Sequence, residues 1–366
     1  MHPRLQGPSP ATFVLATFAL AGIALAAAPA TAPKKPAPGS TGAGTKPTVV
    51  GLPGAPPDGV SLDYLAIDRA RRRVWVPAGG TGSTDLIDTT TRELRRLENF
   101  PTAEVERHGR KRLVGPSSAT VGDGVVYVGN RADSTVCAVD AATLERGGCV
   151  TLPSMPDGLA FIARAKEVWA TTPGDQSIVI LDVGAPAAPK LAGSFKLDGD
   201  PEGYAVDDGR GLFYTNLEDK DRTLRIDVAT RAVTGTWMPA CGEEGPRGLA
   251  LETRGQLLMV ACPDHVEVLS AGADGGILSK LPTGEGVDNL DYLPGARSLY
   301  AAAAGAATLT VAHLDEKGVL ARIAVIPTAK GARNAVAAND GTAYVADGPD
   351  GTILVIPSVP REGSKR

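Results

Sequence analysis

Acidic and basic side chains recur at one equivalent position in the repeating units of this 366-residue sequence. When the repeats are aligned, that position holds Asp63, Ser117, Asp157, Glu202, Arg247, Asp288 and Arg333. In five units the following position is small or an amide: Gly158, Gly203, Gly248, Asn289 and Asn334. Carboxylates and guanidinium groups form ion pairs with each other, and both also bind charged or polar ligands. The recurrence therefore predicts either a polar binding site or a structural network of ion pairs.

Part of this set also suits a metal ion. The hard oxygen ligands that Ca²⁺ prefers are supplied by Asp157, Glu202, Asp288 and Asn289. His265 or His108 is then the candidate general base for hydrolysing a lactone or an ester. The Asp-Gly and Glu-Gly turns at Asp157 and Glu202 resemble the channel mouths of senescence-marker-like gluconolactonases. Two units carry Arg at the equivalent position, so the full metal set of that family cannot be traced.

The positions are set by a repeated strand pattern. Each repeat has a central apolar strand, marked in turn by Trp75, Trp169, Met259 and the tyrosines Tyr127, Tyr214, Tyr300 and Tyr344. In chain order these markers are 52, 42, 45, 45, 41 and 44 residues apart. Residues 200–237 show the whole unit, which is four short strands separated by polar turns. A period of about 40–45 residues with four strands each is typical of a propeller. The sequence predicts an all-β, seven-bladed β-propeller with four-stranded blades.

A propeller brings the recurring polar residues together, because the first strand of every blade lines the central channel. We expect the aligned positions to meet at the channel mouth. The loops between second and third strands surround them with Asn130, Arg131, Asp133, Asn216, Glu218, Asp264, His265 and Asp347.

Three strand motifs and a repeated turn resemble one family. The strands read VYVGN from Val126, LFYTN from Leu212 and AYVAD from Ala343, and three Asp-x-x-Thr turns begin at Asp88, Asp140 and Asp227. They resemble the YVTN, or YncE-like, family of bacterial β-propellers over roughly residues 61–357. The resemblance implies the fold. It implies no single activity, since function depends on sites and not on folds.

The chain divides into four segments. Residues 1–28 contain Arg4, an apolar stretch and the small residues Ala24 and Ala26, which is the pattern of a secretory signal peptide. An uncleaved membrane anchor is the alternative for this segment. Residues 29–47 are rich in Pro, Ala and Gly and predict a disordered tether. The propeller is expected at 48–357, followed by a tail at 358–366.

The ring is expected to close with an N-terminal strand. The last repeat supplies only three strands, at 334–337, 342–346 and 352–356. The isolated β-like run at 48–52 provides the missing fourth, which removes an exposed sheet edge.

Four cysteines fit an oxidising compartment. Cys137 and Cys149 flank a turn within one repeat, and Cys241 and Cys262 lie on neighbouring repeats. We therefore expect the disulfides Cys137–Cys149 and Cys241–Cys262. No Cys or His spacing typical of a zinc site is present. Together with the leader, the cysteines indicate a periplasmic or secreted protein.

The longest connection, residues 99–115, is strongly charged and lacks apolar periodicity. We expect a mobile loop without secondary structure. It is either a solvated connection or a lid or patch for an anionic partner.

Charge excludes some partners. A net charge of −4 gives no electrostatic attraction to nucleic acid or to an anionic membrane. The three tryptophans lie in strands and are expected to pack inside the protein.

Three interpretations of the recurring polar residues remain open. In the first, Arg247 and Arg333 neutralise the acids and fasten the blades together, with Glu202 facing Arg247. In the second, the mouth binds a small polar ligand or a protein partner. In the third, it holds Ca²⁺ for hydrolysis. We expect a monomeric binding or scaffold module without an assigned cofactor, and metal-dependent hydrolysis is the alternative.

Overall fold

The computed structural model describes residues 46–107, 109–272 and 274–360, and there it forms seven four-stranded antiparallel sheets and one separate hairpin. The predicted signal peptide, most of the tether, His108 and the last six residues lie outside this description. Among the described residues, no helix is long and apolar enough to cross a membrane.

The strands follow the repeat in chain order. The N-terminal strand is β1 (Thr48–Gly51). Blade 1 contains β2 (Ala66–Asp68), β3 (Arg73–Ala78), β4 (Ser83–Asp88) and β5 (Leu94–Leu97). The hairpin contains β6 (Ala103–Arg107) and β7 (Arg110–Val114). Blade 2 contains β8 (Pro116–Gly122), β9 (Val125–Asn130), β10 (Thr135–Asp140) and β11 (Arg146–Thr151).

The central blades continue this order. Blade 3 contains β12 (Leu159–Ile162), β13 (Glu167–Thr172), β14 (Ser177–Asp182) and β15 (Lys190–Lys196). Blade 4 contains β16 (Pro201–Asp207), β17 (Leu212–Leu217), β18 (Arg222–Asp227) and β19 (Val233–Trp237).

The last three blades complete the ring. Blade 5 contains β20 (Leu249–Glu252), β21 (Leu257–Ala261), β22 (His265–Ser270) and β23 (Ile277–Pro282). Blade 6 contains β24 (Val287–Leu293), β25 (Ser298–Ala303), β26 (Thr308–Leu314) and β27 (Leu320–Pro327). Blade 7 contains β28 (Ala332–Ala337), β29 (Ala343–Asp347) and β30 (Thr352–Ile356).

The first strand of each blade contacts the first strand of the next, and β2 contacts β28, so the blades form a closed ring in chain order. The N-terminal strand β1 pairs antiparallel with β30, from Thr48 opposite Val355 to Gly51 opposite Thr352. The predicted closure is confirmed. Leu52 follows the strand and is buried in the core between blades 7 and 1.

Side chains of the second strands form the hydrophobic core between neighbouring blades. Trp75, Tyr127, Trp169, Tyr214 and Tyr344 are fully buried. Side chains of this type remove about 150–250 Å² each from water. The expectation that the tryptophans pack inside the protein is confirmed, since Trp237 is also buried.

The Asp-x-x-Thr turns are held by a single carboxylate oxygen. Asp88 Oδ1 accepts hydrogen bonds from the backbone N–H groups of Thr90 and Thr91 at 2.8 and 2.9 Å. Asp140 and Asp227 make equivalent bonds. These backbone donors lower the pKa of all three carboxyls.

Both predicted disulfides are present, and the described residues include no free cysteine. Cys137–Cys149 joins β10 to β11 with a Cα–Cα distance of 4.0 Å. Cys241–Cys262 joins the segment after blade 4 to the end of β21 with a Cα–Cα distance of 5.0 Å.

The expectation of an unstructured connection at 99–115 is wrong. Most of it forms the hairpin of β6 and β7, whose strands pair with each other and with no blade. The run of like charges in β7 gives no apolar alternation by which a strand could be recognised in the sequence. Lys111 Nζ contacts Glu104 Oε1 at 2.6 Å across the hairpin, so part of this charge is compensated locally.

Candidate functional site

The first strands approach each other very closely at the channel mouth. A Cβ atom on Gly203 would collide with Cα of Gly248, and a Cβ on Gly248 would lie 2.6 Å from Cα of Asn289. Only glycine allows the backbones of blades 4, 5 and 6 to come so near. The residues just before these glycines, Glu202 and Arg247, are thereby held at the mouth.

An arginine from a loop unites three blades at the mouth. Arg131 follows β9 of blade 2 and contacts Asp63 of blade 1 at 2.8 Å and, still more closely, Asp157 of blade 3. Burial opposes the charge on Arg131, but the two carboxylates outweigh it and raise the pKa of the guanidinium. Burial raises the pKa of Asp157 to about 6 although Arg131 acts in the opposite direction. The aligned residue of blade 2, Ser117, is neutral, so blade 2 supplies its charge at the mouth through Arg131 instead.

Two further ion pairs join neighbouring blades. Arg333 Nη1 of blade 7 lies 3.0 Å from Asp288 Oδ2 of blade 6, as expected for a ring that neutralises its own acids. Arg247 of blade 5 pairs with Glu218, on the loop after β17 of blade 4. The pairing of Glu202 with Arg247 that the first interpretation allows is not formed, because the loop acid reaches the guanidinium instead.

Glu202 is the acid of the mouth that lacks a counter-charge. Among the described residues, no Lys or Arg forms an ion pair with it, and its carboxylate accepts a hydrogen bond of 3.3 Å from the Tyr64 hydroxyl. Burial, followed by the neighbouring charges of Asp157, Asp63 and Asp288, raises the pKa of Glu202 well above its usual range. Glu202 therefore keeps its proton to a higher pH than an exposed glutamate does.

Tyr64 reaches across the channel. Its ring stacks on that of Tyr204 with centroids 5.7 Å apart and an angle of 21° between the planes. Tyr64 precedes β2 of blade 1, whereas Tyr204 lies in β16 of blade 4, three blades further around the ring. Sequence reasoning missed both residues. The available signal was that Tyr64 occupies the position where blades 3, 4 and 5 have glycine.

The other half of the channel has its own ion pair. Arg69, just after β2, lies 2.7 Å from Asp291 of β24, which also accepts a hydrogen bond of 2.6 Å from the Ala337 N–H. Burial raises the pKa of Asp291 although Arg69 opposes this. These contacts join blades 1, 6 and 7.

A cavity of about 160 Å³ lies along the axis between these groups. It is lined by aromatic and amide side chains as well as apolar ones, including Tyr64, Tyr204, Asn289 and Asn334. Two buried polar atoms around the mouth, Ser117 Oγ and Asp157 Oδ2, have no hydrogen-bond partner in the described protein. Buried polar atoms are normally satisfied, so these atoms retain capacity to bind a polar group.

The predicted asparagines fall into two groups. Asn334 donates a hydrogen bond of 2.7 Å to the Asp63 carbonyl and accepts one of 3.1 Å from the Asn289 N–H, which places both amides beside the cavity. Asn130 donates to the Pro101 carbonyl, and Asn216 donates to the Arg247 carbonyl. The latter two amides hold loops in place.

The predicted metal ligands are not gathered into one compact set. Asp157 and Asp288 contact arginines, and Glu202 contacts Tyr64. Within the described ranges, only Cys262, His265 and Glu267 form a group of three potential ligands with all ligand atoms within 4.8 Å of one another. His265 begins the third strand of blade 5, where it contacts Asp264 and Glu267 and no residue of the mouth.

Comparison with solved structures identifies the fold. A chain in "Crystal Structure of Mitotic Checkpoint Complex" superposes with a TM-score of 0.69 at 15% identity, covering 94% of this chain and all of that one. A chain of "Kuenenia stuttgartiensis Hydrazine Synthase" superposes with a TM-score of 0.68 at 14% identity, covering 85% of this chain and 99% of that one. No protein-family model and no curated protein sequence matches. At these identities the similarity extends to the β-propeller fold alone.

Proposed function

We propose that the protein is an extracytoplasmic binding module, of the YVTN or YncE-like type, that holds a small, positively charged ligand at the channel mouth. The observation that carries the proposal is the carboxyl of Glu202, which forms no ion pair with a described Lys or Arg and accepts a hydrogen bond from Tyr64, a residue that lines the axial cavity. The leader-like pattern of residues 1–28 and the two disulfides support a periplasmic or secreted location.

The charge balance at the mouth favours a cation. Five carboxyl groups are found there, on Asp63, Asp157, Glu202, Glu218 and Asp288, against three guanidinium groups, on Arg131, Arg247 and Arg333. Five acids minus three cations leaves a difference of two. An ammonium or guanidinium group beside Glu202 would supply one of the missing charges.

The surroundings of Glu202 suit such a group. Tyr64 and Tyr204 present aromatic rings next to the carboxyl, and a cation over an aromatic face gains about 0.5–2 kcal/mol. Because the pKa of Glu202 is raised, binding a cation would release a proton. Affinity should therefore increase with pH.

The cavity limits ligand size. Its volume of about 160 Å³ is below the roughly 300–1,000 Å³ typical of sites for drug-sized molecules. It therefore suits a small amine or the charged end of a longer molecule.

A matched set of three-carbon probes tests the proposal. Calorimetric titration should detect n-propylammonium binding, with an affinity that rises between pH 5 and pH 8. It should detect neither 1-propanol nor propionate. Glu202→Gln should abolish the binding, whereas Glu316→Gln, the same change at an exposed site, should not. Binding of propionate in place of propylammonium would refute the assignment of ligand charge.

The same variants address metal-dependent hydrolysis. If Glu202 were a Ca²⁺ ligand, Ca²⁺ would raise the melting temperature of the wild type by mass action. Glu202→Gln would then lose this effect, and the wild type would hydrolyse lactones or esters. That outcome would replace the binding module with the hydrolase.

A further inference from the structure

We propose that Cys241, Cys262, His265 and Glu267 form a zinc site that becomes available when the Cys241–Cys262 disulfide is reduced. The site belongs to blade 5 and to the segment that enters it. It is separate from the channel mouth, so it does not depend on the ligand proposed above.

Three of the four ligand atoms are already close together. One ligand atom each of Cys262, His265 and Glu267 lies within 4.8 Å of the other two, and Cys241 Sγ is bonded to Cys262 Sγ. Thiolate, imidazole and carboxylate are the ligand types that bind zinc, with four ligands in structural sites. Reduction would turn the two disulfide sulfurs into two of these four ligands.

His265 is oriented as a metal-binding histidine. Its Nδ1 lies 2.6 Å from Asp264 Oδ1, and its Nε2 lies 3.1 Å from Glu267 Oε1. If Nδ1–H donates to Asp264, the lone pair on Nε2 points at a carboxylate oxygen, an arrangement that requires a proton or a cation between the two atoms. Two ligands of a tetrahedral zinc are about 3.3 Å apart, given metal–ligand distances of about 2.0–2.1 Å.

Glu267 provides an independent observation. Its side chain is fully buried, and Oε2 has no hydrogen-bond partner in the described protein. Lys280 Nζ contacts only the other oxygen, Oε1. Leaving a buried carboxylate oxygen unpaired is unfavourable, and coordination to a metal would satisfy it.

The second disulfide lacks these neighbours. Cys137 and Cys149 are not part of any described group of three ligand residues, and Cys137 Sγ lies 4.0 Å from the Thr135 hydroxyl. Reduction there would expose two thiols without an imidazole or a carboxylate beside them. The Cys137–Cys149 disulfide is therefore an internal control for zinc binding after reduction.

The chemistry balances with a dithiol as reductant. The dithiol transfers two electrons and two protons to the Cys241–Cys262 bond, giving two thiols, and is itself oxidised to a disulfide. Zinc binding then releases the two thiol protons. In the zinc-bound centre His265 is neutral and Glu267 is ionised, so a proton held between His265 Nε2 and Glu267 Oε1 is released as well. The resulting centre has a net charge of −1, next to the Lys280 ammonium.

Zinc uptake measures the proposal directly. The protein is reduced with dithiothreitol, freed of reductant without oxygen, and titrated with Zn²⁺ while its circular dichroism is followed. We expect about one zinc per reduced chain, as for a four-ligand site, and none for the oxidised chain. Cys137→Ser/Cys149→Ser should behave like the wild type, and Cys241→Ser/Cys262→Ser should bind none. Asp264→Asn should weaken binding about 10–100-fold, the usual effect of losing the partner of a ligand histidine.

One variant avoids reduction altogether. Cys241→Ser leaves Cys262 as a free thiol beside His265 and Glu267 while the other disulfide stays intact, so it should bind Zn²⁺ without reductant. Adding His265→Ala should remove that binding. A folded Cys241→Ser protein that takes up no zinc would overturn the proposal, as would equal zinc binding by the oxidised wild type.

Discussion

Replacing Glu202 with Gln should stabilise the protein, and the gain should grow with pH. The substitution keeps an oxygen that can accept the hydrogen bond from Tyr64, but it removes an ionisable group with which no described Lys or Arg forms an ion pair. Most changes at a buried polar position destabilise, so the sign of the effect tests the charge assignment directly.

The magnitude follows from proton linkage. Because the pKa of Glu202 is raised in the folded state, the native protein holds this proton more tightly than the unfolded chain does. The contribution to stability is fully present below the unfolded pKa and is lost as pH rises through the folded pKa. Each pKa unit by which the folded and unfolded states differ corresponds to about 1.4 kcal/mol of stability. The side chain of Gln does not ionise, so the variant loses none of this stability as the pH rises. For a chain of this size, 1 kcal/mol shifts the melting temperature by about 2 °C.

Thermal unfolding from pH 4 to pH 8 is the assay. The melting temperatures of wild type and Glu202→Gln should coincide near pH 4 and separate increasingly above it, with the variant higher. Asp63→Asn is the matched control, because Asp63 contacts Arg131 at 2.8 Å and its loss should lower stability at neutral pH. A Glu202→Gln protein less stable than wild type at pH 8 would show that this carboxylate has a counter-charge.

Three further changes test the network, the closure and the hairpin. Arg131→Ala leaves two buried acids unpaired and should cost about 3–5 kcal/mol. In thermal scans the loss should be smaller at pH 5 than at pH 8, because the pKa of Asp157 is about 6 even with the arginine present; an equal loss at both pH values would contradict this. Deleting residues 48–51 should lower the melting temperature of the whole ring and promote aggregation at the freed edge of β30, whereas Val49→Ala, at an exposed site, should do neither. Replacing residues 103–114 with a short Gly-Ser linker should leave the far-ultraviolet circular dichroism of the ring intact, since β6 and β7 pair only with each other.

The sequence predicts the ring well because its determinants are local. The apolar second strand recurs in every blade and the Asp-x-x-Thr turn in three of them, so an ambiguous strand in one repeat can be assigned by comparison with the others. The missing strand of blade 7 likewise pointed to residues 48–52. The hairpin escaped prediction because it occurs once, and no other repeat could reveal its strands.

The ion pairs that side chains form at the channel mouth were less predictable. Repeat alignment fixes how far along the channel a residue lies, but not which way its side chain turns. Arg247 forms its ion pair with the loop acid Glu218 and not with Glu202. Arg131 reaches two acids from a loop that lies outside the aligned position. Such pairings depend on side-chain reach between blades, which the spacing of residues does not encode.

The stacking of Tyr64 on Tyr204 has a consequence for how the ring unfolds. Repeat proteins whose units contact only their neighbours can lose structure one unit at a time. Here blades 1 and 4 are joined directly through the axis. The segment that precedes blade 1 also supplies β1, the fourth strand of blade 7. Loss of blade 1 or of blade 4 would therefore disturb a distant part of the ring at once, which favours a single cooperative transition. Tyr64→Ala should broaden that transition and separate the melting of individual blades.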